Sequence, residues 1–333
     1  MSSQEFIDLL RRLSEAFGPS GFEDEVRDLV IKELEPYVDD LMVDKWGNVI
    51  GVRYGSRKDL KAMVAAHIDE IGLLIDNIDK NGFLRFRAIG GWNEVTLVGQ
   101  RAVIKTVDGR KIKGVIGSRP PHVTPPGKER EAPPELKDLF IDIGASSDDE
   151  VRKLGVRVGS VAVLDRDFEV LNENIVTGKA FDDRVGVAVM LWAARQLRGS
   201  EITVYFVATV QEEVGLRGAQ IAADRVYPDF AIALDTTIAA DVPGVNEREF
   251  VTRIGKGPAI KVMDGGRGGN VFIAHPALTN FLVSIAEDLK IPYQLEVLIG
   301  GTTDAWELPL GEMAYQRPRY QYPLGMFIVP WNC

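Results

Sequence analysis

Histidine and cysteine are scarce in this 333-residue chain: His67, His122 and His275 are its only imidazoles and Cys333 its only thiol. A lone thiol excludes a disulfide framework and any cysteine-ligated zinc, so a metal site here has to be rich in carboxylates. No stretch approaches the roughly 18 consecutive apolar residues of a membrane-spanning helix, and residues 1–20 lack the apolar core of a signal peptide. A cytoplasmic location is therefore expected. Runs of lysine and arginine are also missing, and the net charge is -10. That balance argues against nucleic acid or an anionic membrane as a partner. Internal repeats and low-complexity segments are absent as well.

What is present is an ordinary globular composition, 45% apolar and 26% charged, in a chain long enough for one large domain or two smaller ones. The most informative stretch runs from Ile202 to Gly215. Its β-branched and aromatic start reads as a buried strand, and it ends in Glu212-Glu213 before Gly215. Two adjacent carboxylates at the mouth of a buried strand repel and resist desolvation, so they call for a cation or a shared proton. A solvated corner is the plain alternative. Other chemistry-bearing residues stand in similar places: Asp235 ends the run Phe230–Leu234, Asp182 and Asp183 precede an apolar helix, and His67 ends the run Leu60–Ala66. Acids and an imidazole at strand ends are how an α/β sheet presents ligands along one edge.

Read in order, the chain begins with a helix capped at Ser2–Glu5, carrying Phe6, Leu9, Leu10, Leu13 and Phe17, and closed by Gly18-Pro19-Ser20-Gly21. A second amphipathic helix places Phe22, Val26, Leu29, Val30 and Leu34 on one face, and a hairpin is expected around Trp46-Gly47-Asn48. From Ile71 to Leu164, short alternating strands and turns such as Asp79-Lys80-Asn81-Gly82 predict a small β-domain, barrel or sandwich. The proline-rich stretch Pro120–Pro134 reads as a loop, with His122 exposed in it. After Gly178 the α/β texture returns, with helices Arg184–Leu197, Leu216–Ala223 and Pro276–Leu289 and strands Ile202–Val210 and Phe230–Leu234. Further strands are expected near Val251, near Ile260 and at Tyr293–Leu298. Gly265–Gly269 lacks the lysine and hydroxyl of a phosphate loop, and His275 stands at a helix start, where a helix-entry role and a functional one are both open. The expected fold is α/β, with one α/β domain at 1–71 and 165–333 interrupted by a small β-domain at 72–164.

His67, Asp182, Glu213 and Asp235 are imidazole and hard-oxygen donors suited to zinc, cobalt or manganese. Asp69, two residues beyond His67 on extended chain, can orient the imidazole. A carboxylate shared by two ions lets both polarise one water, which leaves Glu212 as the general base.

Five segments in order carry a resemblance: Ala66-His67-Ile68-Asp69-Glu70-Ile71-Gly72, Gly178-Lys179-Ala180-Phe181-Asp182-Asp183-Arg184, Gln211-Glu212-Glu213-Val214-Gly215, Ala233-Leu234-Asp235 and Gly300-Gly301-Thr302-Thr303-Asp304-Ala305. Through them the chain, to about residue 305, resembles the dinuclear metallo-aminopeptidases that assemble as tetrahedral dodecamers, some of which carry an endoglucanase label this chemistry does not support. The resemblance implies a mixed-sheet, zinc-peptidase-type α/β catalytic domain with an inserted small β-barrel-like domain, and two divalent ions, zinc or cobalt. His67, Asp182 and Asp235 would hold one; bridging Asp182, Glu213 and a C-terminal histidine would hold the other. It further implies Glu212 as base, Asp69 orienting His67, a cis peptide between Asp182 and Asp183, and a dimerisation role for the β-domain. Peptides would be its substrates, trimmed from the N-terminus inside a closed homo-oligomeric shell built from dimers.

The tail departs from that family. Residues 306–333 contain no histidine, and Pro309 interrupts the expected helix. Read two bases out of frame, codons for Leu324–Asn332 can encode Arg-Tyr-Val-His-Ser-Pro-Val-Glu-Leu, which restores the family's ending with its histidine across Phe327 and Ile328. A frameshift near Ala305 or Trp306, in the gene or in its sequencing, accounts for this. As written, the chain is expected to hold its second ion weakly. The leading expectation is thus a metal-dependent aminopeptidase, impaired by the lost ligand. The rivals are a deacylase using the same two-metal site and a catalytically silent homologue serving as an assembly subunit.

Overall fold

A computed structural model of the protein describes residues 3–120, 134–172, 175–265, 271–308 and 324–331. The chain divides into two compact units, one formed by Met1–Asp69 with Ala180–Cys333 and the other by Glu70–Lys179.

The first unit opens with helices α1 (Ser3–Glu15) and α2 (Asp24–Leu34), followed by strands β1 (Asp40–Val43), β2 (Val49–Arg53) and β3 (Arg57–His67). The second unit contributes β4 (Gly72–Ile78), β5 (Leu84–Ile89), β6 (Arg101–Lys105), β7 (Lys111–Gly117), β8 (Phe140–Asp142), α3 (Asp148–Lys153), β9 (Val161–Leu164), β10 (Glu169–Asn172) and β11 (Ile175–Thr177). The chain then returns to the first unit with α4 (Phe181–Gln196), β12 (Ile202–Thr209), α5 (Arg217–Val226), β13 (Phe230–Ile238), β14 (Ala259–Gly265), β15 (Val271–Ile273), α6 (Pro276–Asp288), β16 (Gln294–Val297) and β17 (Leu324–Trp331).

Among the described residues the first unit's sheet has nine strands, in the order β1-β2-β12-β3-β13-β17-β14-β15 with β16 paired to β14. It is mixed: β12, β3, β13 and β17 run parallel, while β2 and β14 pair antiparallel with this block. Neighbouring β3 residues Ala62 and Met63, and again Ala65 and Ala66, are all buried. Consecutive burial of this kind marks a central strand covered on both faces. Helix α4 packs on β3 and β13, and α5 packs on β12. The core joins Ile50, Val52, Met63 and Val207 to the alanines of β3, β13 and α5, whose small side chains allow close layers.

In the second unit, β4-β5-β8-β7-β6-β9 close into a barrel, the architecture expected of this region. Its interior alternates along the strands, Leu73 with Ile75 and Ala102 with Ile104, and closure removes free strand edges. The unit extends to Lys179 and takes in the separate β10–β11 hairpin, beyond the boundary at 165 read from the sequence. Its first and last residues form a bidentate ion pair, Lys179 Nζ lying 2.8 and 3.0 Å from the two Glu70 carboxylate oxygens.

Two local expectations are corrected. The residues near Val251 form no strand: Thr252 makes only an isolated bridge to Ala239. The Gln294 side chain bonds Arg253 and Gly257, holding this glycine-rich segment as a loop. Phe22 lies before α2 and is exposed, whereas Val26, Val30 and Leu34 form the buried face. His122 and residues 266–269 of the glycine-rich turn lie outside the described residues, as does Ser2 of the N-terminal cap. Among the described residues no helix is long and apolar enough to cross a membrane.

Candidate active site

Strand register builds the site. Thr209 at the end of β12 lies level with His67 at the end of β3, and Ala233 of β13 pairs with Ala65, two residues before Asp235 and His67. His67 and Asp235 therefore arrive together at the carboxyl edge of parallel strands, the usual ligand edge of an α/β sheet. After β12, Gln211 takes a left-handed conformation with φ 55°. The bend carries Glu212 and Glu213 back over the end of β3, where both backbone N–H groups donate to the Asp69 carboxylate at 3.0 and 3.1 Å. Asp182 comes from the start of α4, where Ala180 is left-handed, Asp182 and Asp183 are non-helical, and the peptide between them is cis.

His67 is buried and its two nitrogens face different partners. Nδ1 lies 3.2 Å from the Asp69 carbonyl and 3.5 Å from Asp69 Oδ1. Nε2 lies 3.2 Å from Asp182 Oδ1 and 3.9 Å from both Glu212 Oε2 and Asp235 Oδ1. A proton on Nδ1 shared with Asp69 leaves the Nε2 lone pair free to ligate a cation lying among the carboxylates. Burial alone would lower the imidazole pKa, but Glu212, Asp182, Asp69 and Asp235 together raise it well above its ordinary value. Burial would raise Asp69, yet His67, Ser20 and the Glu212 N–H hold it below the usual carboxylate range. The other acids move upward. Burial, reinforced by neighbouring carboxylates, raises Glu212, Asp235 and Asp183 well above normal.

All six residues singled out from the sequence, His67, Asp69, Asp182, Glu212, Glu213 and Asp235, lie around this centre. Two sets of possible ligand atoms occur within 4.8 Å of one another: His67 with Asp182 and Asp235, and His67 with Glu212 and Glu213. Glu213 falls in the second set and Asp182 in the first, and the two sets meet at His67. His275 stands apart at the start of α6, its Nδ1 accepting the Ala277 N–H at 3.2 Å, a helix-entry role.

Sequence reading gave no role to Asp304. It is buried, its Oδ2 accepts the Thr209 hydroxyl, and its pKa is pushed up to about 6, chiefly by burial. Its Oδ1, like Asp183 Oδ2, has no hydrogen-bond partner among the described residues. An acid inside Gly300–Ala305 was the available signal. Asn48 in its turn and Ser20 at its helix end carry no local signal of a role, yet both bond directly to the framework of the site.

The donor set fits divalent cations. Buried carboxylates crowd one imidazole, and the nearby Arg184 directs its guanidinium to the carbonyls of Leu13, Ala16 and Gly18 instead. Carboxylate oxygens and a neutral imidazole are hard and borderline ligands, and a dication offsets the charge that raises these pKa values.

An α/β sheet with an acid–imidazole cluster at its carboxyl edge is an arrangement suited to metal-assisted hydrolysis. The sequence matches the M42 glutamyl aminopeptidase family over residues 47–315, and the chain belongs to that family. It is similar to the aminopeptidase APDkam598 from the archaeon Desulfurococcus kamchatkensis, with a TM-score of 0.92, 51% identity, and coverage of 98% of this chain and 87% of that one. The TET1 peptidase of Pyrococcus horikoshii, which can assemble into a tetrahedron or a large octahedral shell, superposes with a TM-score of 0.80 at 34% identity, covering 98% of this chain and 91% of that one. A lysyl aminopeptidase of Pyrococcus furiosus is 38% identical over 290 residues, 87% of this chain and 80% of that protein.

Proposed function

We propose that the protein removes N-terminal residues from peptides at a two-ion centre on the carboxyl edge of β3, β12 and β13. His67, Asp182 and Asp235 would hold one divalent cation, zinc or cobalt, while Asp182, shared between the two, and Glu213 would hold the other. When bound, such ions supply Lewis-acid polarisation of water and of the scissile carbonyl. Asp69 keeps the proton of His67 on Nδ1 and so presents Nε2 to the centre. Glu212 takes the proton of the attacking water and returns it to the leaving amine, a task suited to a carboxylate whose pKa burial has raised. One observation carries the reading: His67 Nε2 lies within 3.9 Å of Asp182, Glu212 and Asp235.

The second ion would be held weakly by this chain, since residues 306–333 offer no histidine to stand beside Asp182 and Glu213. The backbone of β17 runs parallel to β13 with Phe327 level with Leu234 and Ile328 level with Asp235. The histidine of the shifted reading frame falls at that level, which supports a frameshift as the origin of the tail. Coding DNA that does not read histidine there rejects the idea. The absent histidine also favours a second reading, a catalytically silent homologue that serves as an assembly subunit. In either case the β-domain at 72–164 would pair copies into dimers, and the dimers would assemble into a closed shell, as a dodecamer.

The test is hydrolysis of a chromogenic aminoacyl anilide during titration with zinc and cobalt, alongside metal stoichiometry. Turnover that depends on added cation and stops when the substrate amine is acetylated supports the aminopeptidase. Cleavage of the acetylated compound supports a deacylase, and no turnover at saturating metal supports the silent subunit.

A further inference from the structure

We infer that Ser20, in the turn between α1 and α2, is a positioning residue for the metal centre and acts through Asp69. The inference rests on the two-ion reading above. Ser20 is buried, and its Oγ donates to Asp69 Oδ2 at 2.6 Å. Asp69 is itself fully buried and accepts three donors: this hydroxyl and the backbone N–H groups of Glu212 and Glu213. The two backbone donors belong to the loop that carries the catalytic glutamates. Ser20 alone among the three reaches the carboxylate from a different part of the chain. It therefore stops the carboxylate plane from following that loop, and it fixes Oδ1 beside His67 Nδ1 at 3.5 Å.

The turn that carries Ser20 is held in place. The Phe22 N–H closes it on the Pro19 carbonyl at 2.8 Å, and the Gly21 N–H donates to buried Glu23 at 2.7 Å. The Arg184 guanidinium donates to the Leu13, Ala16 and Gly18 carbonyls. Gly18 permits this approach, since a Cβ there would stand 2.9 Å from Arg184 Nη2 and 2.7 Å from Val26 Cγ1. Arg184 follows the ligand Asp182 by two residues. One turn thus fixes the chain next to one ligand and the carboxylate that orients another. A packing role alone would not need a hydroxyl here, whereas alignment of a ligand histidine is sensitive to each hydrogen bond behind it.

The experiment titrates the metal-free full-length chain with cobalt alone, in competition with a chelator, and records the visible spectrum of the bound ion. Ser20→Ala is expected to weaken cobalt binding about tenfold to a hundredfold and to alter the spectrum. Ser20→Thr, which keeps the hydroxyl, is expected to retain both. Ser20→Cys, with a weaker donor, is expected to fall between them and serves in place of the alanine variant where that does not fold. Unchanged affinity and spectrum in Ser20→Ala or Ser20→Cys overturns the inference, as does equal weakening in Ser20→Thr. An unmodified chain that binds no cobalt overturns the two-ion reading itself, and a His67→Ala control without effect does the same.

Discussion

Asn48 and Gly218 are joined across the Glu212–Glu213 loop. Asn48 Nδ2 donates to the Gly218 carbonyl at 3.0 Å while Asn48 Oδ1 accepts the Val210 N–H at 3.0 Å. One buried amide therefore closes both ends of the loop that carries the proposed base. Asn48→Ala leaves the Val210 N–H and the Gly218 carbonyl buried without this partner, a cost of roughly 2–3 kcal/mol. Urea denaturation should show that loss. Gly218→Ala should disturb the same joint, because its Cβ would stand 2.4 Å from the Val210 carbonyl oxygen and 2.5 Å from Asn48 Oδ1. Wild-type stability in both variants would remove this hold from the account.

Glu212→Gln preserves shape but removes the proton acceptor. Turnover of an aminoacyl anilide should fall by about a hundredfold to ten-thousandfold, with cobalt content little changed. A variant with near-native turnover would assign the base elsewhere.

Without metal, stability should fall as pH rises. Burial raises Asp183, Glu212 and Asp235 well above the ordinary carboxyl range, and Asp304 to about 6. Between the unfolded value of about 4 and these folded values, the folded chain holds protons that the unfolded chain releases, so rising pH favours unfolding. His67 works in the same direction: its raised pKa adds stability below about 6.5 that is lost as pH climbs through the folded value. Thermal melting in chelator should give a higher midpoint at about pH 5.5 than at about pH 8. Excess zinc should raise the upper midpoint and narrow the gap. A midpoint that climbs with pH in chelator would contradict the charge arrangement.

Away from the site, Lys261 and Glu296 form a buried ion pair, Nζ to Oε1 at 2.9 Å, with the Thr237 hydroxyl donating to the same oxygen. Lys261→Met strands a buried carboxylate and should destabilise the chain by about 3–5 kcal/mol. Adding Glu296→Gln should recover part of that loss. Purely additive effects in the double-mutant cycle would mean the two side chains are not coupled.

Much of the site was legible because its residues close strands. His67 after Leu60–Ala66, Asp235 after Phe230–Leu234 and Glu212-Glu213 after Ile202–Val210 are polar residues ending apolar runs, and such a boundary is visible in sequence. The barrel was legible from alternation and turns for the same reason. What stayed hidden depends on contacts between distant segments. Ser20 meets Asp69 across 49 positions and Asn48 meets Val210 across 162, and neither contact leaves a local pattern. Lys261 sits inside a short strand pattern, and its burial follows from the facing Glu296, 35 positions on. The strand expected near Val251 failed because a distant side chain, Gln294, claims its neighbours' backbone groups.

The Glu70–Lys179 pair has a bearing on how such a protein is put together from parts. Entry to and exit from the barrel unit come within reach of one ion pair, so in the chain the unit is an insertion whose two ends lie close together. A short turn replacing residues 71–178 would join those ends with little closure entropy, and a longer insert at the same point would be tolerated equally well. The length of the insert can therefore vary while the ends at Glu70 and Lys179 stay together.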